Sequence, residues 1–252
     1  MARSAVGQPL TLSENFETYE YESFLFEGLI DESWKAYWAA HSAFNFLLGD
    51  DDYSSLECFS QMQQLVTNGL QCAGYGSMAN DLSTAPDETE FNAISIGQYT
   101  SESTLYERVN ALLRKGHDGI SIAKDPLAPW IAHLNAILRR EEEYLHTAYR
   151  GADLTASEVA EYKPGRLFIW TSFTSMSKRR ECCLDGNTLF EITPRSSISM
   201  HGKRAPRSIA HFSDFPEEDE VLLPLAAAFR VESREATGTH RTIIKLTLLD
   251  HN

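Results

Sequence analysis

The spacing of apolar residues changes partway along this chain, and the change separates a helical part from a strand-rich one. Between residues 31 and 49, DESWKAYWAAHSAFNFLLG places Trp34, Tyr37, Trp38, His41, Phe44 and Leu48 three and four positions apart. That spacing lines one face of a helix, with Asp31 placed to cap its first turn and Gly49 to end it. Leu56, Phe59, Met62 and Leu65 repeat the pattern and predict a second helix over residues 54–70. Residues 69–90 are rich in Gly, Ser, Asp, Asn and Pro and predict a linker or long surface loop. A helix opening at Ser101 or Ser103 follows, with Leu105, Val109, Leu112 and Leu113 on its apolar side and basic residues before Gly116. After a loop over residues 118–129, Trp130, Leu134, Ile137 and Leu138 predict another helix, with Glu141, Glu142 and Glu143 toward solvent.

From about residue 146 the apolar runs shorten to strand length: HTAYRGA, GRLFIWTSFTSMS, NTLFEITP, VLLPLAAAFRVESREAT and HRTIIKLTLLD. In the second of these, alternation puts Leu167 and Ile169 on one face and Phe168 and Trp170 on the other. Pro224 predicts an edge, bulge or bend. Helices early and strands late place the chain in the α+β class with a mostly antiparallel sheet.

Composition narrows the partners. A hydrophobic content of 42% and a charged content of 23% belong to a globular chain, and 252 residues make one large domain or two modest ones. Thirty-six acidic residues against 22 basic ones leave a net charge of −14, which argues against nucleic acid as the main partner and disfavours anionic membrane surfaces. No run of 18 apolar residues occurs, so no membrane span is expected. The stretch MARSAVGQPLTLSENFE shows no apolar run before a small-residue cleavage site, so no secretory signal is read and the expectation is a cytoplasmic location, or delivery outside the cell by a route the sequence hides. Of the four cysteines, Cys58, Cys72, Cys182 and Cys183, the adjacent pair is poor geometry for a mutual disulfide and none has zinc-ligand spacing; reduced thiols and no metal are expected. The chain lacks a GxGxxG after a strand and a phosphate-loop sequence, which disfavours a doubly wound nucleotide domain.

The densest chemistry lies in FPEEDEVLLP. Glu217, Glu218, Asp219 and Glu220 run straight into Val221, Leu222 and Leu223, and a strand's alternation would set Glu218 and Glu220 on one face. Carboxylates this close repel unless a cation, a hydrogen-bond network or a substrate uses them. A solvated strand entrance is the plain alternative. Two further polar elements sit near strands, Arg150-Gly151 and the run from Thr174 to Ser177. Arg150 is suited to a dinucleotide phosphate, Ser175 to a ribose hydroxyl or a carboxylate, Glu220 to charge developing at a breaking glycosidic bond, and Glu218 to orienting or deprotonating an acceptor.

In order, YRG, FTSMS and FPEEDEVLLP followed by FRV resemble the arginine-specific mono-ADP-ribosyltransferases, a family whose site is an Arg, a Ser-x-Ser strand and a Glu-x-Glu pair. FNAISIGQYT and LYERVNALLR resemble that family's helical lead-in. The resemblance covers residues 91–250. It does not cover residues 1–90, which the apolar spacing reads as a helical extension or small helical subdomain; it implies a catalytic domain over 91–252, a mixed, mostly antiparallel two-sheet ADP-ribosyltransferase core. It also implies NAD as substrate without a metal, and an arginine of a target protein or a small guanidino compound as acceptor. Arg150 matches the arginine that contacts NAD, with Gly151 near the nicotinamide amide. Ser175 and Ser177 match the two serines, Glu220 the catalytic glutamate, and Glu218 the glutamate needed for transfer to arginine. The loop over 178–187 matches one that folds over nicotinamide and phosphate, which puts Arg179 and Arg180 within reach of the pyrophosphate; the loop over 199–217 matches one that meets the target. Two rival outcomes stand beside transfer: an NAD glycohydrolase with water as acceptor, and a non-enzymatic module whose acids bind a basic partner. Met176 departs from the family's usual Thr or Ser. A thioether donates no hydrogen bond, and the middle residue of a strand faces away from its neighbours, so a change in packing is expected and not a loss of activity.

Overall fold

The computed structural model describes residues 10–11, 59–101, 103–115, 125–183, 186–194, 205–225, 227–237 and 241–249. The helix expected over 31–49, and the start of the one over 54–70, lie outside them. Two compact units are present: Lys35–Glu141 with His211–Pro216, and Met1–Trp34 with Glu142–Ala210 and Glu217–Asn252.

The first unit is helical. It contains α1 (Phe59–Cys72), α2 (Gly76–Ser83), α3 (Glu88–Thr100), α4 (Thr104–Lys115) and α5 (Ala128–Leu138). Residue 90, the expected domain boundary, falls inside α3. The linker expected over 69–90 is instead the end of α1, all of α2 and the first residues of α3. Its loop-like composition is spent on punctuation between short helices. Gly74 takes φ +91° just after α1, a conformation that favours glycine, and the Asp87 side chain accepts the backbone N–H of Glu90 at 2.9 Å to start α3. Ala79 and Leu82 bury the inner face of α2. In α4, Leu105, Val109 and Leu113 are buried as the spacing predicts, and Ser103 accepts the N–H of Leu105. Helix α5 starts with Pro129 in its first turn and buries Trp130, Leu134, Ile137 and Leu138 along with His133 and Asn135. A helix covered on nearly every side is the centre of its unit, and α1 approaches it closely. A Cβ added at Gly69 would lie 2.4 Å from the carbonyl oxygen of Pro126, just ahead of α5.

The second unit holds the strands: β1 (Leu10–Thr11), β2 (Ala148–Ala152), β3 (Leu167–Trp170), β4 (Thr174–Ser177), β5 (Thr188–Pro194), β6 (Arg207–Ser208), β7 (Glu220–Leu223), β8 (Ala227–Thr237) and β9 (Arg241–Leu249). They form a ladder in the order β1-β3-β8-β9-β5-β2-β4-β7-β6. The β5–β9 pair is parallel and the other pairs are antiparallel, so the mixed, mostly antiparallel expectation holds. The two sheets expected of the core are two blocks of this ladder, joined between β2 and β4 by the single register pair Tyr149↔Ser177. Two segments that read as continuous strands each cross from one block to the other. GRLFIWTSFTSMS breaks into β3 and β4, and VLLPLAAAFRV breaks at Pro224 into β7 and β8. The crossings run together, because β3 pairs with β8 and β4 with β7.

Phe168, Trp170, Met176, Phe190, Val221 and Phe229 are among the residues of the core beneath the sheet. Leu167 and Phe168 are both buried, so β3 lacks the solvent face that simple alternation would give it. Tyr162, just past the short helix α6 (Ala156–Glu161), closes one side of this core with edge contacts at 5.2 Å to both Phe168 and Phe190. Thr155 and Glu158 form a reciprocal capping box at the start of α6.

Candidate active site

The site grows from the join between the two blocks. In the antiparallel β4–β7 pair, Ser177 lies opposite Glu220, and Ser175 opposite Leu222. Residues i and i+2 share a face, so Ser175, Ser177 and Glu220 stand on one side of the sheet. Met176 points to the other, where it is buried in the core. The Ser175 hydroxyl donates to Oε1 of Glu220, and Nη1 of Arg150, on β2, donates to the Ser175 carbonyl at 2.6 Å. Arg150, Ser175 and Glu220 thus form one continuous chain of contacts. Glu220 is only 1% exposed, so its carboxylate depends on protein groups, not water, for solvation.

The expected strand alternation of Glu218 and Glu220 does not occur. β7 begins at Glu220, whereas Glu217 and Glu218 belong to the single turn Pro216–Glu218, and Asp219 between them and the strand has φ +48°. Asp and Asn are the non-glycine residues that accept this left-handed conformation most readily. One such residue breaks the period of two and gives the turn its own geometry. The end of β4 pins it. The Ser177 hydroxyl donates to the Glu218 carbonyl at 2.6 Å, and the Lys178 N–H donates to the Asp219 carbonyl at 3.0 Å. The Glu218 side chain is half-buried, and among the described residues its carboxylate makes no hydrogen bond or ion pair.

The two arginines after β4 part company. Arg179 Nε lies 3.0 Å from Asp219 Oδ2, and its Nη2 donates to the Glu217 carbonyl, so the whole guanidinium is turned onto the acid run. Arg180 reaches toward Glu191 on β5, at 3.7 Å. Gly151 sits opposite Leu189 in the β2–β5 pair, next to Arg150. The turn Arg180–Cys183 is tied down at its end: the Cys183 thiol donates to the Tyr149 carbonyl at 3.0 Å, and Arg241 Nη2 donates to the Cys183 carbonyl at 2.5 Å. Burial pushes the Cys183 thiol above its ordinary pKa, so it is not a poised nucleophile. Cys72, Cys182 and Cys183 are free thiols.

Sequence reading missed the Arg179–Asp219 pair and the place of Lys178, whose Nζ donates to Ser208 Oγ at 2.7 Å and lies 5.5 Å from the Tyr144 ring centre. The charges were visible in the sequence. Their partners depend on how β4, β6 and β7 are laid side by side, and no local spacing reports that.

The fold is that of the ADP-ribosyltransferases. The solved ADP-ribosyltransferase HopU1 of Pseudomonas syringae pv. Tomato DC3000 matches with a TM-score of 0.55 at 16% identity, over 74% of this chain and 94% of that one. Exoenzyme S of Pseudomonas aeruginosa, solved with human 14-3-3 protein beta and carba-NAD, matches with a TM-score of 0.53 at 14% identity, over 73% of this chain and 88% of that one. Residues 60–252 match the family described as NAD:arginine ADP-ribosyltransferase, and the chain belongs to that family. A Mycobacterium avium (strain 104) protein named as an NAD(+)–arginine ADP-ribosyltransferase, Mav, is 26% identical over 157 residues, which are 60% of this chain and 17% of that protein. The match therefore spans less than a fifth of that curated relative.

Proposed function

We propose that this chain transfers ADP-ribose from NAD to the guanidino group of an arginine, in a target protein or a small acceptor, and releases nicotinamide. The observation that carries the reading is the contact chain Arg150–Ser175–Glu220, with the Glu218 carboxylate, which has no partner among the described residues, two residues from its end. Family membership supports it. As the bond between nicotinamide nitrogen and ribose C1′ stretches, its electron pair leaves with nicotinamide and positive charge builds on the ribose. Glu220, buried and held by Ser175, places a fixed negative charge where water cannot screen it. Arg150 braces the Ser175 backbone and, with Gly151 beside it, supplies the edge on which NAD rests. Glu218 pairs with the incoming guanidinium and takes the proton that nitrogen loses when the new bond to C1′ forms. No step needs a metal.

The test is nicotinamide release with and without agmatine. Glu220→Gln is expected to lower both rates by about 10²-fold or more, the range of a strong transition-state contact. Glu218→Gln is expected to abolish the agmatine-dependent part and retain hydrolysis. A loss below about threefold in Glu220→Gln, or full transfer by Glu218→Gln, defeats the assignment. Release that agmatine does not stimulate in the parent protein identifies water as the acceptor instead.

A further inference from the structure

Arg179 and Asp219 make a contact that the proposed chemistry leaves without a task. The Arg179 guanidinium grips the acid run at two points, the Asp219 carboxylate on one side and the Glu217 carbonyl on the other. These are the residues on either side of Glu218. Ser177 holds the carbonyl of Glu218 itself from below. The backbone of the turn is therefore fixed at Glu217, Glu218 and Asp219, while the Glu218 carboxylate is the group left without a partner among the described residues. The clamp also neutralises the acid nearest Glu218. Without it, Asp219 would compete with Glu218 for an arriving cation and would raise the cost of keeping three exposed or half-exposed carboxylates ionised together.

We infer that the Arg179–Asp219 pair selects a guanidino acceptor over water, acting as a positioning pair that holds the turn presenting Glu218. This rests on the transfer reading above and adds a determinant of its acceptor specificity. The side chains of the pair bond to each other and to the Glu217 carbonyl, and the contact of Arg179 with Ser177 runs through its backbone N–H, which substitution keeps, so loss of the pair bears on the second substrate and spares the cleavage step. It also gives Arg179 a different task from the pyrophosphate contact expected from its charge and its place in the loop over 178–187.

Asp219→Asn separates the two roles, because asparagine keeps both the shape and the tolerance for φ near +48° while removing the charge. In the full chain, its kcat/KM for agmatine is expected to fall on the order of threefold to tenfold, as suits a charge-assisted contact that is partly exposed. NAD hydrolysis without acceptor is expected to change less than twofold, with KM for NAD held. Arg179→Ala also frees the Glu217 carbonyl and is expected to lose more transfer, about tenfold to thirtyfold, with a smaller loss in hydrolysis. Arg179→Lys is expected to recover part of it, since an ammonium cannot fork across both partners as a guanidinium does. Side-chain exposures of 44% and 42% make these variants tolerable to the fold, and a thermal melt checks that. Equal falls in transfer and hydrolysis, or a raised KM for NAD with an unchanged ratio of transfer to hydrolysis, overturn the inference and return Arg179 to the dinucleotide. A parent protein that shows no agmatine-dependent release defeats the transfer reading as well, which distinguishes the two failures.

Discussion

Met176→Thr restores the residue type usual at the middle of the Ser-x-Ser strand and is expected to harm the fold while leaving the chemistry alone. Met176 is 3% exposed, lies opposite Val221 on β7, and packs in the same core as Phe168, Trp170 and Phe190. Emptying such a site to alanine costs about 2–5 kcal/mol. Threonine refills part of the volume with a methyl group, but sets a hydroxyl in apolar surroundings, which costs about 1–3 kcal/mol if nothing pairs with it. The two corrections oppose each other, so the net destabilisation is about 3 kcal/mol. At roughly 2–4 °C per kcal/mol for a chain of this size, the melting temperature should fall by about 6–12 °C. Met176→Leu, which conserves volume, should cost less than about 1.5 kcal/mol. The measurement is thermal unfolding by circular dichroism beside the initial rate of nicotinamide release at 15 °C, where both variants remain folded. A melting shift under about 2 °C would show that the site accepts threonine as readily as methionine. A tenfold drop in rate with an intact fold would show that the middle residue reaches the substrate, against its placement on the opposite face of β4.

Two other perturbations follow from the backbone and from burial. Gly186→Ala should destabilise strongly, because Gly186 has φ +91° and an added Cβ would lie 2.5 Å from the carbonyl carbon and oxygen of Ala152; an unchanged denaturation midpoint in urea would contradict that packing. His133 is held down to a pKa of about 3, chiefly by burial and secondarily by the Arg140 charge. Between that value and the unfolded value of 6.5 the unfolded chain binds a proton that the folded chain refuses. The histidine's contribution is therefore intact above pH 6.5 and is lost by up to about 1.4 kcal/mol for each unit the pH falls below it. His133→Gln should flatten the decline of the urea midpoint between pH 7 and 5, and an identical slope would rule the linkage out.

The α+β class, the helix α4 and the buried side of α5 were legible because each rests on a long run of one period. The missed helix α2 has Ala79 and Leu82 as its buried residues in eight positions, and the Gly, Ser, Asn and Asp around them read as loop. Strand boundaries failed for a different reason. In GRLFIWTSFTSMS, both faces of β3 are covered, so the alternation that would have marked its end at Trp170 is absent. The order of Arg, Ser-x-Ser and Glu-x-Glu was readable as a resemblance, whereas the geometry of the last pair was not. Alternation predicts a strand register for Glu218, and a single left-handed residue, Asp219, cancels it.

That cancellation bears on how four consecutive acids coexist. In an extended strand Glu218 and Glu220 would face the same way, and each would raise the other's cost of ionisation. The structure assigns each acid a separate environment. Glu217 is exposed to water, Asp219 is neutralised by Arg179, Glu220 is buried against Ser175, and Glu218 is half-buried with its backbone fixed and its carboxylate open. In the proposed reaction, the division suits two cations that arise at different moments. The charge on the ribose appears only as the glycosidic bond breaks, and a buried carboxylate that salt cannot screen acts on it most strongly. The acceptor arrives already charged from solvent, and a more accessible carboxylate can capture it without first paying to desolvate it. Moving the left-handed position by one residue would collapse these two environments into one, so the conformation of Asp219 is as much a part of the site as the carboxylates on either side of it.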